Sequence, residues 1–223
     1  MVTDAELDEL IANCPTLYHM AECGSWPAIA KYGLLSTSAL MDLYQVGGAR
    51  RAKIELAHRP KSVAIAADGL PGAVIRDQIP MSDSGLKRAL PPRLQPSDWY
   101  ALLNSKVFFW LSLERLHKLT QAEAYRNHIH DVLEVDTRSL VTAHYERISL
   151  CPINSGCTKP MPHPRDENIF SSIPQYPYAY WRSRRGRLER VVELAIDYSV
   201  PDIAAHVRSV VAKRGKETIS VIY

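Results

Sequence analysis

The chain has 223 residues, of which 46% are hydrophobic and 23% charged, enough for one large domain or two small ones with a sizeable core, and unlike a disordered tail, a collagen-like rod or a coiled coil. Its 27 basic and 24 acidic side chains leave a formal net charge of +3, too small by itself to imply a polyanionic partner. The longest apolar runs, such as residues 107–113, fall far short of the roughly 20 residues of a bilayer-spanning helix, and the acidic start Met1-Val-Thr-Asp-Ala-Glu6 lacks the order of a secretory signal, so no membrane span and a cytoplasmic location are expected.

Thr3 and Glu6 have the spacing of a capping box, which predicts a helix to about Ala12. Beyond Pro15, residues 16–20 read as a strand. Ser25, Pro27 and Gly33 stand in the order of an N-cap, a first-turn proline and a C-terminal glycine, and a second helix follows from Ser36 or Thr37 through Leu43. Residues 62–67 and 73–78 flank a cluster of turn formers and read as a hairpin. Residues 81–96 alternate charge and proline and read as a surface connection.

Residues 99–103 read as helical, residues 106–112 carry the strongest strand signal in the chain, and a helix from Ser112 to about Arg126 precedes a strand at 132–135. Residues 151–186, rich in Pro, Asn, Ser and Gly, form a loop long enough to be functional or disordered. A β-rich run at 190–198, a helix ending near Lys213 and a strand at 218–223 complete the chain. Without regular βαβ alternation, the pattern predicts one α+β domain over residues 1–223.

Few residues announce chemistry. Cys14, Cys23, Cys151 and Cys157 have neither a disulfide framework nor the close spacing of a structural zinc site, so free thiols and no metal are expected. Neither common glycine-rich phosphate motif is present. Glu193, among Val191, Val192, Leu194 and Ile196, is either a solvated residue of an alternating strand or an acid turned into a cleft. His19 is either a hydrogen-bonded interior residue or a ligand contact. From Tyr176 to Arg190, Tyr178, Tyr180 and Trp181 interleave with Arg182, Arg184, Arg185, Arg187 and Arg190. That surface is either a solvated turn whose tyrosines pack inward or a platform that stacks bases and neutralises phosphates.

Taken together, Leu17-Tyr-His-Met20, Trp26-Pro-Ala-Ile29, Gly33-Leu-Leu-Ser36, Val107-Phe-Phe-Trp110, Glu193-Leu-Ala-Ile196 and Val200-Pro-Asp-Ile203 resemble the ADP-ribosyltransferase superfamily, specifically the DarT-like DNA ADP-ribosyltransferase toxins. The resemblance implies two small packed β-sheets with an NAD cleft between them and flanking helices. It implies that NAD is the substrate, bound at its ribose by His19, along its length by Gly33, Leu35 and Ser36, and under its nicotinamide by Phe108, where the family often has tyrosine. Glu193 would be the catalytic acid. The family's arginine falls to Arg76, with Arg50, Arg51 and Arg59 as alternatives. The resemblance also implies a nucleic-acid acceptor, met by Tyr178, Tyr180, Trp181, Arg182, Arg184, Arg185 and Arg187 in the loop before Glu193, and leaves an antitoxin partner open. A non-catalytic nucleic-acid or nucleotide-binding module and an NAD glycohydrolase are the competing readings.

Overall fold

In the computed structural model, which describes residues 2–223, the first helix, α1 (Asp4–Asn13), starts at the expected capping box: Glu6 N–H donates to Thr3 Oγ1 and Thr3 N–H to a Glu6 carboxylate oxygen, both at 3.2 Å. Strand β1 (Thr16–Glu22) follows, then α2 (Trp26–Tyr32), β2 (Leu34–Leu35), α3 (Thr37–Leu43) and α4 (Gly48–Glu55). The hairpin β3 (Val63–Ile65) and β4 (Ala73–Ile75) leads into α5 (Asp83–Ala89), α6 (Pro96–Asn104), β5 (Lys106–Trp110) and α7 (Leu113–Thr120). Then come β6 (Ile129–Asp136), α8 (Thr137–His144), β7 (Ile148–Cys151), β8 (Ser171–Ser172) and α9 (Tyr178–Arg182). The chain closes with β9 (Glu193–Asp197), β10 (Ser199–Val200), β11 (Val207–Arg214) and β12 (Glu217–Val221).

The result is a single α+β domain. Its main sheet has the order β12-β11-β6-β1-β5-β9-β7-β8 with every pairing antiparallel. This corrects the expectation of two separate packed sheets, although the join between the halves is narrow. Strand β1 pairs with β6 over seven residues and β5 with β9 over five, whereas β1 and β5 share one registered pair, Tyr18↔Trp110. The sheet therefore splays open between β1 and β5, and Leu17, Leu133 and Val135 from one half meet Phe109, Leu150 and Leu194 from the other in the largest core cluster.

Three further corrections follow from tertiary contacts. Residues 81–96 are not a plain connection, because Ser82 Oγ caps α5 by accepting Gly85 N–H at 3.1 Å and Leu86 is fully buried. The helix expected to end near Lys213 is only a turn at Ile203–Ala205, after which β11 pairs with β6 across seven residues. Segment 151–186 is ordered: it contains β8 and α9 and buries Ile173, Tyr176 and Tyr178. Helices α4 and α8 and strand β7 had no sequence expectation, and α7 stops at Thr120, short of Arg126. No helix among the described residues is long and apolar enough to cross a membrane.

Candidate functional site

A cleft of about 560 Å³ opens where β1 and β5 separate, within the size range of ligand-binding clefts. It gathers Glu193, Arg76, His19, Gly33, Leu35, Ser36 and Phe108 along one lining.

Glu193 opens β9 and pairs in register with Trp110 on one side and Cys151 on the other, a central position that leaves it 4% exposed. Its carboxylate accepts Ser155 N–H at 3.1 Å. Burial raises its pKa to about 7; the Ser155 contacts and the charges of Arg115 and Arg165 pull the other way without cancelling it. A carboxylate poised near neutrality in a cleft has the ionisation of a general base.

The Ser155 N–H is held by a framework of its own. Arg165 is buried and donates to the carbonyls of His163 at 2.9 Å, Ser155 at 2.8 Å and Cys157 at 2.9 Å. Trp99 Nε1 also donates to the Ser155 carbonyl, at 3.3 Å. Thr158 fixes the loop against α5, its backbone N–H donating to the Pro80 carbonyl and its hydroxyl accepting Ser82 N–H, each at 3.0 Å. A Cβ on Gly85 would come within 2.6 Å of that hydroxyl, so the helix and the loop need a glycine where they touch.

His19 spans the split in the sheet. Its Nδ1 lies 2.8 Å from the Phe108 carbonyl oxygen, and because a carbonyl only accepts, Nδ1 carries the proton. Burial lowers the His19 pKa to about 4, with the charge of Arg76 acting in the same direction and the Phe108 bond against it. The ring is therefore neutral at pH 7 and its Nε2 is free to accept a hydrogen bond from a ligand hydroxyl. Phe108 itself lines the cleft with its ring 6.0 Å from that of Phe170.

Of the four arginines considered, two line the cleft. Arg76, just beyond β4, has its guanidinium 5.2 Å from the Tyr125 ring centroid and 3.5 Å from His130 Nδ1. Arg59 is 7% exposed and donates to the carbonyls of Ile54 and Arg76 at 2.6 Å and to Asn104 Oδ1 at 3.2 Å. Burial lowers its pKa to about 10, so it remains a buried cation at neutral pH, and none of the salt bridges among the described residues involves it. Arg51 instead bridges Asp42 and Glu55, and Arg50 donates to the Ala64 carbonyl on the exposed side of the hairpin.

Gly33, Leu35 and Ser36 shape the wall more than they offer free polar groups. Gly33 has φ +87°, and a Cβ there would come within 2.7 Å of Pro201 Cα. Leu35 pairs with Ser199 across β2 and β10, and Ser36 Oγ caps α3 by accepting Ala39 N–H at 3.2 Å.

The tyrosine and arginine segment divides. Tyr178 is 1% exposed, which corrects its place in a base-stacking surface: its hydroxyl meets Arg190 and its ring belongs to the core. Trp181 packs on that core with Arg185 3.9 Å over its ring, and Arg185 donates to the Pro152 carbonyl. Arg182 pairs with Glu6 and Glu9. Tyr180, Arg184 and Arg187 are exposed, although Arg184 lies 3.8 Å over one face of Tyr180. A second cavity of about 600 Å³, lined by Arg115, Lys159, His163, Arg185 and Glu189, shares Asn154 with the main cleft.

The sequence gives no sign of Ser155 or Arg165, and it places Arg59 behind Arg76. A buried arginine leaves no local signature, and Ser155 meets Glu193 only through the folding of a loop 38 residues away in sequence. Neither the curated proteins nor the solved structures contain a match to this chain. A family model does match, over residues 15–207, and the chain belongs to that family, DUF7002, a family of unknown function.

Proposed function

We propose that the chain is an NAD-dependent mono-ADP-ribosyltransferase that moves ADP-ribose to a nucleic-acid base and releases nicotinamide. The observation that carries this reading is the buried, near-neutral Glu193 in a cleft of about 560 Å³ that also holds His19, Phe108 and two cationic side chains. Breaking the nicotinamide–ribose bond sends its electron pair to the leaving nicotinamide and develops positive charge on the ribose ring, as in glycoside cleavage. The Glu193 carboxylate stabilises that charge more in the transition state than in bound NAD, the condition for acceleration. The acceptor nitrogen or oxygen then bonds to the ribose carbon and its proton passes to Glu193, whose pKa of about 7 suits that transfer.

The remaining residues have matching roles. His19 accepts a ribose hydroxyl at Nε2, Arg59 and Arg76 attract the diphosphate, and Phe108 supplies an apolar face for the nicotinamide. Arg115, Lys159, His163 and Arg185 around the adjoining cavity, with exposed Arg184 and Arg187, suit a phosphate backbone approaching the same Asn154.

The test is incubation of the protein with NAD, with and without single-stranded DNA or RNA, and mass measurement of nicotinamide, free ADP-ribose and modified polymer. Nicotinamide release with a matching mass gain on polymer supports the proposal. Release with free ADP-ribose alone replaces it by NAD glycohydrolysis, and binding without release replaces it by a nucleotide-binding module.

A further inference from the structure

Away from the cleft, the end of α8 meets the turn that follows β10. His144, Asp202 and His206 come together there, with one ligating atom from each lying within 4.8 Å of the others. His144 Nε2 is 2.8 Å from one Asp202 carboxylate oxygen and His206 Nε2 is 3.3 Å from the other. Both imidazoles thus turn the same nitrogen toward a single carboxylate, with their rings edge-on and 5.5 Å apart.

We propose that His144, Asp202 and His206 form a zinc-binding site that braces the rim of the cleft. Two imidazole nitrogens and one carboxylate oxygen are a ligand set that zinc takes at about 2.0–2.2 Å, with a fourth position left to water. Imidazole donors also disfavour calcium and magnesium, which prefer all-oxygen shells. The support is already built: Ser139 Oγ lies 2.7 Å from His206 Nδ1, the outer contact that orients a ligating histidine and directs its Nε2 lone pair to the metal. The backbone is fixed as well, since Asp136 N–H donates to the His206 carbonyl at 2.8 Å and His206 N–H to the Ile203 carbonyl at 2.9 Å. The two histidine side chains are 10% and 6% exposed and the Asp202 side chain 48%, which leaves a solvent path for the ion.

None of the three residues lines the main cleft, so this site stands independently of the proposed transferase activity. Its position still bears on the cleft, because Asp202 follows Pro201, whose backbone seats against Gly33. An ion holding Asp202 to His144 ties that wall to α8.

The test uses the full chain, treated with chelator, desalted and titrated with zinc chloride by calorimetry, alongside thermal melting. The expected results are one zinc per chain and a melting temperature that rises with zinc. Ser139→Ala should weaken binding ~10-fold, and Asp202→Asn, which keeps the shape and much of the hydrogen bonding, by more than ~100-fold. His144→Ala should match Asp202→Asn, and circular dichroism reports whether each variant is folded. A Cys23→Ser/Cys157→Ser double variant, which removes the two cysteines that are not buried, should bind zinc unchanged. Binding by Asp202→Asn as tight as by the unsubstituted chain, or loss confined to the cysteine variant, overturns the site.

Discussion

The backbone N–H of Ser155 donates to the carboxylate of Glu193 at 3.1 Å, and Arg165 holds the loop that presents it through three carbonyls. A residue of the long connection is thereby part of the acid's environment. Arg165→Met should remove both the clamp and a positive charge that opposes the rise in the Glu193 pKa. Both losses favour the protonated acid, so the midpoint of the pH–turnover profile should move to higher pH. A nicotinamide-release profile measured against pH checks this, and an unmoved midpoint would separate the loop from the acid.

Glu193 also makes stability depend on pH. Its pKa rises from 4.5 to about 7 on folding, so between those values the folded state holds a proton that the unfolded state has released. The contribution is fully present below about pH 4.5 and is lost as pH rises through 7. At ~1.4 kcal/mol for each tenfold change it amounts to on the order of 3 kcal/mol. Glu193→Gln cannot ionise, so urea unfolding should show it gaining on the unsubstituted chain between pH 5 and 8 by roughly that amount. Parallel stability curves for the two proteins would contradict the buried acid.

Gly33→Ala places a Cβ against the Pro201 backbone at a positive φ. Neither backbone segment yields easily, and the expected cost is at least ~1–3 kcal/mol in denaturant unfolding. Gly24→Ala is the control: its φ is +80° with nothing near the added Cβ, so it carries the backbone strain without the clash and should cost less.

The arginines between 182 and 190 should separate into two groups. Arg182 and Arg190 pair with Glu9, and replacing them with serine should change stability more than polymer binding. Arg184 and Arg187 are exposed, and serine there should flatten the salt dependence of single-stranded DNA binding by about one in the log–log slope for each phosphate that is no longer neutralised. Fluorescence anisotropy titrations over a series of salt concentrations distinguish the two outcomes.

How far these features are legible in the sequence depends on how local their causes are. The capping box at Thr3 and Glu6, the helix ending at Gly33 and the strand expected over 106–112, found at Lys106–Trp110, rest on neighbouring residues. Strand β11 reads locally as a helix because Val200-Pro-Asp-Ile203 suggests a helix start, while the pairing that makes Val207–Arg214 a strand comes from β6, more than 70 residues earlier. Helix α5 does carry a local signal in Ser82, Asp83 and Leu86, which the surrounding prolines and charges mask. His19, Gly33, Leu35, Ser36, Arg76, Phe108 and Glu193, singled out from motif order, share one cleft lining. The narrow join at Tyr18 and Trp110, the buried Arg59 and the Ser155 contact are products of tertiary packing and leave no periodic trace.

The most direct test of the transferase account compares Glu193→Gln with Glu189→Gln in nicotinamide release from NAD. The first keeps side-chain volume and removes the charge that the proposal puts at the reacting ribose. The second alters an acid paired with Arg115 that lines only the neighbouring cavity. The account predicts that Glu193→Gln lowers turnover by at least ~10²-fold with little change in NAD affinity, comparable to the loss of one transition-state donor, while Glu189→Gln keeps most of it. Equal loss in both variants, or full turnover in Glu193→Gln, would contradict it.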